Sequence, residues 1–262
     1  MGLRPRDACM YLGHNYVLLG QEADYFLQKG LTLIKKHSPK DTRKIYMTLL
    51  DMASNFRNFA DYKKAVEYAQ NGFDFFKNNS DFPEPAFHIE CAFFRAYLGF
   101  FYNELEDYRQ AEKELREAKK MLPTDHHHAA LANIHLGYTL LFTGRYKEAE
   151  AVLQDAYQNY QKFYEKDCVH IGWIQGLMGL NDGFLGNFKR AHYHLEEGHR
   201  IFKNHFGATH AETARHIQYK GIVAFLEGNF EEAAQLLTKS LEMLGNHPKA
   251  ELSKKYLQRM MG

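Results

Sequence analysis

The chain has 262 residues, 45 % of them hydrophobic and 25 % charged, which is the composition of a folded globular protein and excludes a disordered or fibrous one. Thirty-three Lys and Arg stand against thirty-two Asp and Glu, so no global field attracts nucleic acid or an anionic membrane. Cys9, Cys91 and Cys168 are far apart and form no CxxC pair, which argues against a disulfide framework or a zinc module and fits a reducing compartment.

The first residues, MGLRPRDACMYLGHN, lack the apolar run of a signal peptide, and Arg6 stands where a myristoylation pattern needs Ser or Thr. With no run of eighteen apolar residues, membrane insertion is not expected and a cytoplasmic location is, although a bacterial effector secreted without an N-terminal signal would look the same. Ala23, Leu27 and Gly30 then set small, large and small residues four and three apart, which is one face of a helix. Residues 3–36 are accordingly expected to form a degenerate first hairpin. The basic stretch HSPKDTRK after it reads as a solvated loop.

From there the pattern repeats. GRYKEAEAVLQDAY begins at Gly144, GNFKRAHYHLEEGH at Gly186 and GNFEEAAQLLTKSL at Gly228, each forty-two residues after the one before. Twelve residues ahead of Ala65, Ala111, Ala149, Ala191 and Ala233 stand Ala53, Gly99, Gly137, Gly179 and Gly221. Four residues after each of those alanines comes Ala69, Leu115, Leu153, Leu195 or Leu237, and three further on Gly72, Ala118, Ala156, Gly198 or Ser240. The spacing predicts five helical hairpins over residues 45–245. In each, a small residue on the first helix lets the second approach, and a large residue of the second fills the gap. Turns are expected near residues 60, 106, 144, 186 and 228, the last three with a glycine closing the first helix and an aromatic packed over the junction. Residues 248–260 are expected to form a helix with few apolar residues, suited to capping the last hydrophobic face.

These residues resemble the tetratricopeptide repeat family, whose motif has a small eighth residue and small twentieth and twenty-seventh residues. The forty-two-residue period, with FGATHAETA leading into a first helix, is similar to the kinesin-light-chain variety. The resemblance implies an all-α, right-handed superhelical solenoid of antiparallel helix hairpins, one body over residues 1–262, with the first helices lining a concave groove. It implies a non-catalytic scaffold for protein–protein interaction, binding a peptide or protein segment. Carried over position by position, the groove is lined by Tyr97, Phe100 and Asn103, then His135, Tyr138 and Phe142, then Trp173 and Phe184, and last Arg215, Tyr219 and Phe225. The face is aromatic, with Arg57 and Arg215 as its cations. His135, Leu177 and Tyr219 stand where kinesin light chains carry asparagines that hold an extended peptide. The alternative is a regulatory module that senses a small peptide or ligand and changes pitch, as part of a larger bacterial regulator or a secreted effector.

Catalytic and metal-binding patterns are not found. His126, His127 and His128 are consecutive, so on a helix they point about 100° apart and cannot converge on an ion. They suit a polar first turn. His192 and Glu196, four apart, read as a surface pair. No serine sits in GxSxG, and GLMGLNDGFLG lacks the spacing of a phosphate loop. No cofactor and no metal are expected. Gly172, Gly176, Gly179 and Gly183 on one helix each cost about 0.8 to 1 kcal/mol relative to alanine, and only Gly179 is required by the repeat. Either a neighbouring helix packs closely there, or the glycines leave a hollow for a ligand backbone.

Overall fold

The computed structural model describes residues 42–79, 83–84, 86–123 and 126–261, with residues 28–29, 31–32 and 35–36 ahead of them. The expected first hairpin over residues 3–36 lies outside the described residues except for those six. Among the described residues there is no strand. The helices are α1 (Thr42–Asn58), α2 (Tyr62–Asn79), α3 (Ala86–Glu104), α4 (Tyr108–Met121), α5 (His127–Phe142) and α6 (Tyr146–Phe163). They continue with α7 (Val169–Phe184), α8 (Phe188–Phe206), α9 (Ala211–Glu227), α10 (Phe230–Leu244) and α11 (Ala250–Met261). They fall into two compact units divided between Thr139 and Leu140, within α5.

In the N-terminal unit α1 packs on α2, α2 on α3 and α3 on α4. The repeated small residues form the seams: Ala53, Ala65 and Ala69 are fully buried, and a Cβ on Gly99 would sit 2.3 Å from Leu115 Cγ. Tyr46, Phe76 and Phe94 form the centre of this unit, with Tyr46 edge-on to Phe76 and Phe94 at 5.1 and 5.2 Å. In the C-terminal unit α7 pairs with α8 and α9 with α10, while α8 and α7 both contact α9. A Cβ on Gly179 would meet Leu195 Cγ at 2.6 Å, and one on Gly221 would meet Leu237 Cγ at 2.8 Å. The leucine four residues after each repeated alanine therefore occupies the space the glycine leaves.

The other helical glycines of α7 are filled too. Gly172 faces Phe202 of α8 at 2.7 Å, Gly176 faces His216 Nε2 of α9 at 2.5 Å, and Gly183 faces Val223 Cγ2 of α9 at 2.6 Å, measured from the Cβ each lacks. Close packing accounts for the run, because neighbouring side chains occupy the hollow the sequence left open. The pairing of His192 with Glu196 is corrected: His192 Nε2 bonds Glu227 at 2.9 Å and Glu196 receives Lys220 Nζ at 2.7 Å. Both reach across to α9, where the opposite charge lies, so they tie one hairpin to the next.

All five hairpin turns share one geometry. Gly144, Gly186 and Gly228 have φ of 78°, 77° and 90°, and the same place is held by Ala60 at 59° and Glu106 at 61°. In each turn the next amide returns to the carbonyl five residues back, as Asp107 N does to Tyr102 O at 2.9 Å and Asn187 N to Asp182 O at 2.8 Å. The first two turns, which lack glycine, gain a side-chain cap: Asp61 Oδ1 accepts from Lys64 N and Asp107 Oδ1 from Gln110 N. The exposed Glu106 bears left-handed strain that glycine would not. Glu106→Gly is expected to stabilise the N-terminal unit by about 1 kcal/mol in urea denaturation; a lower midpoint would show that the strain is relieved elsewhere.

At its far end α11 buries Ala250, Ser253 and Tyr256 and turns Glu251, Lys254, Lys255 and Arg259 to solvent. Ser253 Oγ bonds Ser240 Oγ and accepts from Gln218 Nε2, both at 2.7 Å, so a small polar cluster fixes α11 onto α9 and α10.

Candidate partner-binding surface

In each unit the candidate residues lie on the first helices of the hairpins, at the spacing that brings successive helices together. In the N-terminal unit α1, α3 and α5 are joined by a column of stacked groups. The Arg57 guanidinium lies 4.9 Å over the Phe100 ring, and Phe100 stacks on His135 at 4.6 Å. Arg57 also reaches Glu104, at 4.0 Å. Beside this column, Phe93 contacts Tyr97 and His128, each at 4.7 Å. Burial first, then the nearby Asp51, pushes the Tyr97 hydroxyl up to about 12, so it stays a neutral donor across the physiological range. Tyr97, Phe100 and Tyr138 are half-buried. Asn103 is buried and its amide is committed, giving Nδ2 to His135 O at 2.9 Å and accepting Thr139 Oγ1 at 2.8 Å.

In the C-terminal unit Trp173 receives Arg215 over its ring at 5.9 Å. Arg215 pairs with Glu212 at 2.9 Å, and Glu212 also faces Lys249 Nζ at 3.6 Å. At the other end of the first helices, Phe184 stacks flat on Tyr146 at 4.8 Å, and Phe225 meets Phe230 and Tyr256 at 5.6 and 5.3 Å. Burial raises the Tyr256 hydroxyl, Arg259 pulls against it, and Tyr146 is near enough to add to the rise. Phe142, Trp173, Phe184 and Phe225 are half-buried. Arg215 is 9 % exposed and Tyr219 2 %, so these two contribute packing more than open surface.

The structure therefore brings Phe100 to His135 and Trp173 to Arg215, and leaves Asn103 and Tyr219 inside. Sequence reasoning missed Tyr146 and Tyr256, which join the rings of the first helices from a turn and from the terminal helix. The aromatic of the Gly-x-aromatic turn was the signal for Tyr146. Nothing in the repeat pointed to Tyr256. Sequence reasoning also missed His216, which is 1 % exposed. It lies against Phe202 at 4.5 Å, with Nε2 and Nδ1 each 3.2 Å from a carbonyl oxygen, Gly172 O and Glu212 O.

Among the described residues no three His, Cys, Asp or Glu side chains gather as metal donors, and no helix is long and apolar enough to cross a membrane. Cys91 and Cys168 are buried and form no disulfide.

Helix hairpins with small-residue seams and a common turn, repeated along the chain, define a helical-repeat protein, a fold that supports a protein–protein interaction scaffold. The tetratricopeptide repeat family model matches residues 92–162 and 128–204, and the chain carries tetratricopeptide repeats. No curated protein matches the sequence. Among solved structures, the chain is similar to BtubC (BKLC) from P. vanneervenii, with 15 % identity, a TM-score of 0.61, and 86 % of this chain and 91 % of that one covered. It is also similar to a Podosopora anserina putative kinesin light chain with nearly identical TPR-like repeats, at 14 % identity and TM-score 0.52, covering 81 % of this chain and 99 % of that one. A third is aspartyl phosphate phosphatase F from Bacillus subtilis, at 12 % identity and TM-score 0.59, covering 97 % of this chain and 66 % of that one. At these identities the likeness is one of fold.

Proposed function

We propose that the protein is a non-catalytic scaffold that binds an apolar or aromatic segment of a protein partner against the first helices of its repeats. The observation that supports this most is the concentration of half-buried rings there: Tyr97, Phe100 and Tyr138 in one unit, Phe142, Trp173, Phe184 and Phe225 in the other. A half-buried ring held by its neighbours loses little rotamer freedom when a partner covers the rest of it, which is the economy of an interface anchor. The cations among the candidate residues, Arg57 in the N-terminal unit and Arg215 in the C-terminal one, already face Glu104 and Glu212, so binding is expected to weaken only modestly with added salt.

Trp173 is the only tryptophan, so its emission reports on the rings of the C-terminal unit without a label. Partners recovered from the native cell supply the ligand. Tyr138→Ala and Trp173→Ala are each expected to weaken binding of such a partner by about 1 kcal/mol or more, with the helical circular dichroism unchanged. Variants that bind normally but melt earlier would assign both rings to repeat-to-repeat packing and move the partner site elsewhere.

A further inference from the structure

Three junctions leading into first-type helices are closed by an imidazole used as a backbone acceptor. His126 Nδ1 accepts from His128 N at the start of α5, and His210 Nδ1 accepts from Glu212 N at the start of α9, both at 3.2 Å. In the turn that opens α11, His247 Nδ1 accepts from Lys249 N at 3.2 Å. His126 and His210 are eighty-four residues apart, two periods of the repeat. The place between them is held by Cys168, whose side chain makes no cap bond to α7.

A ring nitrogen accepts a hydrogen bond only when it carries no proton, so each of these bonds requires the neutral imidazole with its hydrogen on Nε2. Protonation places an N–H against the helix N–H. It also adds a positive charge at the end of the helix whose unpaired amides are already positive. Both effects act against the cap. His126 has His128, in the first turn of α5, at 5.0 Å, with the apolar Phe93 of α3 beyond it. His210 stacks at 4.6 Å on Phe206 of α8, next to His205, whose Nε2 is engaged with Asp167 O. Glu212, whose amide His210 caps, would favour its cation, but that carboxylate is met by Arg215 and Lys249. His247 has the cation Lys249 two residues on.

We propose that His126, His210 and His247 form a set of acid-released caps. Near neutral pH they hold the first turns of α5 and α9 and the turn that opens α11. As the pH falls below the ordinary histidine range they let go and those turns fray, two of them on α5 and α9, which bear candidate binding residues. The proposal concerns the helices themselves and stands whatever the surface binds.

The test is amide hydrogen exchange of the full chain at pH 7.5 and 5.5, each rate divided by its intrinsic rate. Residues 128–130, 212–214 and 249–251 are expected to lose about five-fold or more protection at pH 5.5 relative to the middle of their own helices. The first turn of α7, which has no imidazole cap, is expected to change less. Aspartate caps equally well and stays ionised at pH 5.5, so H126D and H210D are each expected to make protection at their own turn the same at both pH values. H210A is expected to lose protection at both. Ring nitrogen shifts at pH 7.5 are expected to show hydrogen on Nε2. Protection that does not depend on pH in the unaltered chain, a continued loss in H210D, or hydrogen on Nδ1 would each overturn the proposal.

Discussion

Gly179→Leu is expected to destabilise the C-terminal unit by about 3 kcal/mol, at the upper end of the usual cost of overpacking. The first added carbon alone would come within 2.6 Å of Leu195 Cγ and 3.0 Å of Ala191 O. A side chain can swing aside, but Ala191 O belongs to the backbone of α8, so relief requires the two helices to part. Parting them would uncover Leu195 and Ala191, both fully buried. Urea denaturation followed by Trp173 emission measures the effect, and an unchanged midpoint would show that α7 and α8 do not meet along this seam.

Acid is expected to act through His216. Burial, the largest cause, holds its ring down to about 4 from an ordinary 6.5, with Arg215 pushing the same way and the Glu212 and Gly172 carbonyls pulling back. Between those values the unfolded chain takes up a proton that the folded chain refuses, so stability rises with pH across this window. The contribution is complete above about pH 6.5 and is lost as the pH falls towards about 4, amounting to about 3 kcal/mol for this group. His194 and His199 are also pushed down by burial first and add in the same direction. His216→Leu removes the titrating ring and fills the same notch with an apolar group. Its stability is expected to fall less steeply than that of the unaltered chain between pH 7 and 5. Equal slopes in the two proteins would assign the acid sensitivity to other groups.

The hairpins were legible in the sequence because their seams rest on local arithmetic. A small residue, and twelve residues on, past a short turn, small, large and small again is a pattern that only one pairing of helices can bury. The fold accordingly sets Leu115 over Gly99 and Leu195 over Gly179. Turns at Gly144, Gly186 and Gly228 were legible for the same reason, since the left-handed conformation names its own residue. At Ala60 and Glu106 the identical turn is made without glycine, supported by the Asp61 and Asp107 caps, and no residue type announced it.

The surface was less legible. The sequence could say which ring sits on which turn of a first helix, because that follows from helical periodicity. It could not say whether Asn103 faces a partner or bonds His135 O and Thr139, since that depends on where α5 lies against α3. Nor could it decide between packing and a hollow at Gly172, Gly176 and Gly183. Those glycines are matched by Phe202, His216 and Val223, and the partners lie thirty to forty residues further on. Periodicity fixes the direction of a side chain relative to its own helix. What that side chain meets is set by the docking of one hairpin on the next, and that docking is decided by the summed packing of all the residues along both helices, which no local spacing records.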